Sequence, residues 1–103
     1  MDRIAGLKEI LAVDPRNSLA RYGLAMELAR SSETEAALGE FDRLLADDPG
    51  YTAGYFMAAQ TLAGADRAQE AIARLKAGIA CANRSGNSHA ASEMQAMLDD
   101  LDR

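Results

Sequence analysis

Histidine and cysteine most often supply acid–base and nucleophilic catalysis near neutral pH, and this chain has one of each, His89 and Cys81. His89 lies near the start of the last predicted helix, where a solvated surface position is the simpler interpretation. Cys81 is expected to be a small, half-buried residue of the fifth predicted helix. Neither has a metal-ligand spacing, a glycine-rich phosphate loop or a nucleophile elbow beside it. We therefore expect a non-enzymatic protein without cofactor or metal.

Carboxylate pairs are the other residues that could do chemistry, because two neighbouring acids can divide the acid and base roles. Asp47-Asp48 and Asp99-Asp100 are such pairs. Both fall at the ends of predicted helices, on the polar side. Solvation accounts for them there, so they add no catalytic site.

Length, composition and charge predict a single acidic, all-α domain over 1–103. The chain has 103 residues, 49% apolar and 26% charged, which is typical of a globular protein. Alanine is abundant and aromatic residues are few, a composition that favours helix over strand. The net charge of −5, with basic residues spread singly, disfavours nucleic acid and anionic membranes as partners.

Cysteine usage and the absence of long apolar runs predict the compartment. One cysteine cannot form an internal disulfide and is typical of a reducing environment. The N-terminal residues contain no apolar run of signal-peptide length, and eighteen apolar residues never occur in succession. We expect a cytoplasmic protein.

Two Asp-Pro steps lie 34 residues apart, at Pro15 and Pro49. The same shift aligns other residues by size, small on small and large on large, which indicates a repeat of helix pairs. The aligned pairs are Ala25 with Ala59, Leu28 with Leu62, Ala37 with Ala71, Tyr22 with Phe56 and Phe41 with Leu75, and the opening segment aligns Ile4 with Leu38, Leu7 with Phe41, Ile10 with Leu44 and Leu11 with Leu45.

Apolar spacings of three and four residues predict six helices. Their expected ranges are 2–13, 18–30, 34–47, 52–63, 67–83 and 88–101. Gly64 is expected to take a left-handed conformation after the fourth helix, and Glu70 to pair with Arg74 on the fifth. Side-chain caps are expected from Asn17 or Ser18 on the second helix, from a Ser32 and Glu35 capping box on the third, and from Asp66 with Gln69 on the fifth.

These units resemble the tetratricopeptide repeat family over about residues 3 to 83. The residues that carry the resemblance are Leu24-Ala25 with Leu28, Tyr55 with Ala58-Ala59 and Leu62, Ala37 with Phe41 and Pro49, and Ala71 with Leu75. The resemblance implies antiparallel helix pairs stacked as a short right-handed superhelix of about six helices. It divides the chain into a half-repeat helix at 2–13, repeats at 18–51 and 52–85, and a capping helix at 88–101.

The chain departs from the family pattern at three positions. Arg21 stands where a bulky apolar residue is usual, and Leu44 replaces an alanine. Asn83 stands where the second unit would have its proline, so the fifth helix should continue toward Gly86 and the last helix should be a cap. Gly78, inside the fifth helix, is expected to mark close packing of that cap.

The first helix of each pair is apolar on a second side, which must be buried or used for binding. By resemblance, this side lines a concave groove that holds a partner's peptide. Lysine and asparagine, which form the family's chaperone-tail clamp, are absent from the corresponding places, and Arg21 or Arg30 is expected to contact acidic residues at the rim. The expected groove residues are Leu19, Tyr22, Met26, Arg30, Phe56, Met57 and Gln60.

Two functions remain open from the sequence. In the first, the protein is an adaptor that binds an apolar or amphipathic peptide segment of an unidentified partner protein in the groove. In the second, it is a homo-oligomerising structural module whose groove is covered by a second copy, as in a homodimer, or by its own C-terminal helix.

Overall fold

The computed structural model describes residues 2–103, which form six α-helices and no strand. This confirms the all-α prediction, and each helix lies within one residue of its predicted range. The helices are α1 (Arg3–Val13), α2 (Ser18–Arg30), α3 (Thr34–Asp47), α4 (Thr52–Gly64), α5 (Ala68–Arg84) and α6 (Ser88–Leu101).

Helices that follow each other in the chain pack as antiparallel neighbours, because short turns join them. The main helix pairs are α2 with α3 and α4 with α5, and α6 packs on α5 and α4. Four alanines that the 34-residue shift relates two by two lie in the cores of these pairs and are 0% exposed. Small side chains let helix axes approach closely. The four are Ala25 and Ala37 in the N-terminal core, and Ala59 and Ala71 in the C-terminal core.

The two Asp-Pro turns are fixed by side chains one repeat apart. The guanidinium of Arg21 donates to the carbonyl oxygen of Pro15 at 2.8 Å, and the hydroxyl of Tyr55 donates to that of Pro49 at 2.7 Å. Arg21 also donates to Glu40 Oε1 at 2.5 Å and is only 5% exposed. The prediction that Arg21 contacts a partner at the rim is therefore wrong, because its donors are held inside the fold.

Helix α2 is capped as predicted, since Asn17 Oδ1 accepts a hydrogen bond from the Ala20 amide at 3.0 Å. The predicted caps of α3 and α5 are wrong. These helices begin after Glu33 and Arg67 without a side-chain cap hydrogen bond.

Ser32 and Asp66, the two predicted caps, instead end the preceding helices. Both have a left-handed backbone, with φ of 62° and 61°. The amide after each one donates back to the last turn of the helix before it, Glu33 to Leu28 and Arg67 to Leu62, each at 2.9 Å. This is the usual geometry of a helix C-terminus. Asp66 thus takes the left-handed role that we predicted for a glycine two residues earlier.

Ion pairs on the outer surface join different helices. The predicted Glu70 to Arg74 pair is wrong, because Glu70 pairs with Arg67 at 2.6 Å and Arg74 pairs with Asp42 of α3. Arg67 also reaches Glu35 at 2.6 Å. Carboxylates of α3 therefore compete with those of α5 for these two arginines. Such exposed pairs contribute little to stability.

Helix α5 continues to Arg84 as predicted from the missing proline, and the left-handed residue follows at Gly86, with φ of 73°. Gly78 packs against Met94 of α6 and Tyr55 of α4. A Cβ atom there would be 2.5 Å from Met94 Sδ and 2.7 Å from Tyr55 Cβ. The prediction that Gly78 marks close packing of the cap is confirmed.

Gly78→Ala should lower the free energy of unfolding by roughly 1–3 kcal/mol through overpacking, although alanine is the better helix former. The matched control is Gly39→Ala in α3, where a Cβ would meet nothing within 4 Å. That control should stabilise the protein by roughly 0.5–1 kcal/mol. Urea unfolding of both variants checks the prediction, and a gain in stability for Gly78→Ala would contradict it.

Glu40→Gln should lower the free energy of unfolding by roughly 1–3 kcal/mol, because it leaves the buried Arg21 guanidinium without its carboxylate. Asp42→Asn removes a carboxylate from the same helix whose side chain is 64% exposed, and it should cost less than about 0.5 kcal/mol. Thermal melts of both variants measure the difference. Equal losses of stability in the two variants would show that burial does not increase the contribution of the Arg21–Glu40 pair.

Candidate functional site

The seven predicted groove residues do not form one continuous groove. Two clefts flank α2, and Met26 and Arg30 line both. Met57 and Gln60 join them in a cleft between α2 and α4. Leu19 and Tyr22 join them in a cleft between α1 and α2. Phe56 lines neither of these clefts.

The α2/α4 cleft has a volume of about 440 Å³ and lies between the C-terminal halves of the two helices. Its floor is the half-buried side chains of Met26 and Met57, and its exposed sides carry Arg30 and Gln60. Thr61 Oγ1 donates to the carbonyl oxygen of Met57 at 2.9 Å. The cleft therefore offers a flexible apolar floor with one cation and one amide at its sides. Its other lining residues are Ala29, Ser32, Thr34, Gly64 and Ala65.

The α1/α2 cleft has a volume of about 510 Å³ and is the more apolar of the two. Leu7 and Ile10 contribute from α1, with Ile10 47% exposed. Leu19 contributes from the start of α2 and is 71% exposed. Arg3 and Arg30 lie at the other end of the cleft.

Tyr22 connects the α1/α2 cleft to the core. Its ring lies 5.2 Å from that of Tyr51 in a tilted arrangement and 6.5 Å from that of Phe41 in an edge-to-face arrangement, both measured between centroids. Burial raises the pKa of Tyr22 above its usual value, and the neighbouring Tyr51 raises it further. The phenol is therefore neutral at physiological pH. Much of the ring packs inside the fold, and only part of it faces the cleft.

Phe56 packs against the C-terminal core, which α4, α5 and α6 form together with Leu38 and Leu45 of α3. The sequence alignment paired it with Tyr22, which packs against the N-terminal core instead. Leu7 and Ile10 are large apolar lining residues that were not predicted to lie in a groove, because they belong to the apolar stripe of α1. The signal that could have found them is the half-repeat itself, since a lone second helix leaves part of its stripe uncovered.

The candidates for chemistry lie apart from both clefts. His89 is exposed, with Nε2 at 2.8 Å from Glu93 Oε1. Cys81 is buried, more fully than predicted, and its Sγ lies 3.3 Å from Thr52 Oγ1 and 3.6 Å from the Pro49 carbonyl oxygen. Within residues 2–103 no three His, Cys, Asp or Glu side chains form a metal-binding group. Nor is any helix of that range long and apolar enough to span a membrane.

Solved structures of three other proteins superpose on the chain. A tetratricopeptide repeat domain protein from Salinibacter ruber has a TM-score of 0.80 and 29% identity, covering 84% of this chain and 88% of that one. Protein BPP2914 from Bordetella parapertussis has a TM-score of 0.85 and 27% identity, covering 100% of this chain and 90% of that one. The TPR2B domain of yeast Sti1, solved in complex with pHsp70, has a TM-score of 0.89. The superposition covers 96% of this chain and 79% of that one. At 16% identity this last likeness concerns the fold alone.

The family follows from a sequence relative. A scan against protein-family models finds no match. The TPR repeat-containing protein PA0015 of Pseudomonas aeruginosa is 35% identical over 106 residues, which cover 97% of this chain and 95% of that protein. The identity extends over nearly the whole of both chains and agrees with the six-helix fold. The chain belongs to the tetratricopeptide repeat family.

Proposed function

We propose that this protein is a non-enzymatic cytoplasmic adaptor that holds an apolar or amphipathic peptide segment of a partner protein in the α2/α4 cleft. The observation that carries the proposal is the pair of half-buried methionines, Met26 and Met57, which form an open floor between the first helices of two neighbouring pairs. Their partial exposure leaves apolar surface to be covered by a ligand.

The chemistry of the cleft favours a particular class of peptide. Methionine side chains are flexible and polarisable, so they adapt to apolar ligands of different shapes. Arg30 is exposed and can bind a carboxylate beside the apolar contact. Gln60 offers both a donor and an acceptor for a peptide backbone. An apolar segment flanked by an acidic residue fits these three features.

The family supports the class of function. Tetratricopeptide repeat proteins are generally modules for protein interaction, and the TPR2B domain of Sti1 was solved in complex with pHsp70. This chain lacks the lysine and asparagine pattern of the chaperone-tail clamp, so we do not extend that ligand to it. Its net charge of −5 also favours a protein partner over nucleic acid or an anionic membrane.

A second copy of the chain is the competing occupant of the cleft. The chain's own C-terminal helix is a weaker candidate, because α6 packs on α4 and α5 and does not pack on α2. Sedimentation velocity of the purified protein separates the two occupants. A monomer at high concentration is the expected result, and a dimer that Met57→Glu dissociates would replace the adaptor proposal.

Met57→Glu should weaken capture of peptides by about tenfold or more, because it places a charge on the apolar floor. A displayed library of random 12-residue peptides is the probe, and isolated binders are titrated against each variant. Ala96→Glu adds the same charge at an exposed position of α6 outside both clefts and should leave affinity unchanged. Helicity measured by circular dichroism should be equal in the two variants.

Gln60→Arg provides a second variant if Met57→Glu loses helicity, because Gln60 is exposed and its replacement disturbs no core contact. Peptides selected with the Gln60→Arg variant should contain more acidic residues than those selected with the wild type. Failure of the library to yield binders, or binders indifferent to both variants, would refute the α2/α4 cleft as the binding site.

A further inference from the structure

Helix α1 has one helix neighbour, whereas the equivalent helices α3 and α5 have two. Helix α3 packs on α2 and α4, helix α5 packs on α4 and α6, and α1 packs on α2 alone. One side of α1 and the adjoining side of α2 therefore form a surface without a helix on it. The α1/α2 cleft lies on this surface.

The same surface occurs one repeat later, where a helix covers it. A shift of 34 residues carries α1 onto α3 and α2 onto α4, and α2 packs on that later surface. Ile10 corresponds to Leu44, yet Ile10 is 47% exposed and Leu44 is 1% exposed. Leu7 corresponds to the fully buried Phe41, and Leu7 is only half-buried. The α1/α2 cleft therefore has the composition of a surface that holds an α-helix elsewhere in this molecule.

We propose that the α1/α2 cleft binds an amphipathic α-helix of a partner protein, with acidic residues at the C-terminal end of that helix. The bound helix would take the place relative to α1 that α2 takes relative to α3. This site shares Met26 and Arg30 with the α2/α4 cleft but differs from it in all its other lining residues.

Two arginines at one end of the cleft favour acidic residues at the adjacent end of the bound helix. Arg3 Nε lies 2.8 Å from Glu27 Oε1, and Arg30 Nη1 lies 3.7 Å from the same oxygen. Two guanidinium groups thus share one carboxylate, and their side chains are 68% and 70% exposed. The residues that line this end of the cleft are two arginines and one glutamate, and their surplus positive charge attracts carboxylates.

The direction of the bound helix follows from its neighbours. Helix α2 runs antiparallel to α3, so a helix in the equivalent place runs antiparallel to α1. Its C-terminus would then lie near the N-terminus of α1, where Arg3 is located. The carbonyl groups at a helix C-terminus carry a partial negative charge. Arg3 and Arg30 would attract this charge as well as the acidic side chains at the end of the bound helix.

The six helices of residues 2–103 provide no good occupant. All six helices are packed in their own places, and the opposite end of the stack, α6, presents Gln95 and Asp99. These two are exposed and hydrogen-bonded to each other at 2.9 Å. Stacking α6 of a second copy on the cleft would set polar side chains against Ile10 and Leu19, at a cost in desolvation. Two copies with a net charge of −5 each would also repel.

The probe is a fluorescent peptide that copies residues 18–30, the helix that covers the equivalent surface, with three glutamates added at its C-terminus. It carries Arg21→Leu, because Glu40, the partner of Arg21, corresponds to Gly6, which has no carboxylate. Space for a larger side chain exists there, since a Cβ at Gly6 would meet nothing within 4 Å. The matched peptide carries three lysines in place of the glutamates.

Fluorescence anisotropy should show that the glutamate peptide binds about tenfold tighter than the lysine peptide, because of the surplus arginine charge. The variant Arg3→Glu/Arg30→Glu should reverse this preference. Ile10→Glu should weaken binding by about tenfold or more. Val13→Glu adds the same charge on the same helix at a position that is 88% exposed and outside the cleft, and it should change affinity less than twofold.

Several results would overturn the proposal. They are equal affinity for the two peptides, no effect of Ile10→Glu in a protein of unchanged helicity, and sedimentation of the wild type as a dimer that Ile10→Glu dissociates. Met57→Glu, which alters only the α2/α4 cleft, should leave affinity for the glutamate peptide unchanged. Loss of binding in Ile10→Glu but not in Met57→Glu therefore tests this cleft separately from the proposed function.

Discussion

Close approach of the two helices within each pair is the constraint on which the rest of the structure depends. Ala25 and Ala37 in one pair, and Ala59 and Ala71 in the other, are fully buried. A larger side chain at these positions would separate the helix axes. Protein interiors are close-packed and tolerate such changes poorly. Because these alanines set how the two helices of a pair contact each other, they also determine which residues of each helix face the neighbouring pair.

The clefts are a consequence of that geometry. With one side of α2 committed to α3, its other apolar side must face either α1 or α4, and it borders both. Met26 lies at the boundary and lines both clefts. A short stack therefore has two separate apolar surfaces, where a longer solenoid would have a continuous one. Binding sites here are defined by which helix neighbours are missing as much as by which side chains are present.

The sequence predicted the helices well, because periodicity and repeat alignment report burial directly. It predicted the helix ends less well. Ser32 and Asp66 have the residue types of N-caps, but each takes a left-handed conformation that closes the preceding helix. In a tight turn one polar residue cannot serve both helices, and the pattern alone does not decide which one it serves.

The site was predictable only in part for a similar reason. Repeat alignment treats Tyr22 and Phe56 as equivalent, yet α6 belongs to the core that Phe56 contacts, while Tyr22 contacts Tyr51 and Phe41. Arg21 likewise looked like a free cation, because its partners Glu40 and Pro15 are brought near only by the tertiary fold. Contacts between elements distant in sequence decide these cases.

The two ends of the stack solve the problem of an exposed helix differently. At the C-terminal end, α6 buries Met94 and Leu98 and presents polar side chains outward, which is how a repeat array is made soluble. At the N-terminal end, α1 buries Leu11 but leaves Ile10 exposed, and Leu19 of α2 is exposed in the same cleft. Val13 is also exposed, outside that cleft, and these are the three exposed large apolar side chains within residues 2–103. A composition that caps one end and leaves the other apolar is more consistent with an interaction surface than with a general tolerance for exposed apolar residues.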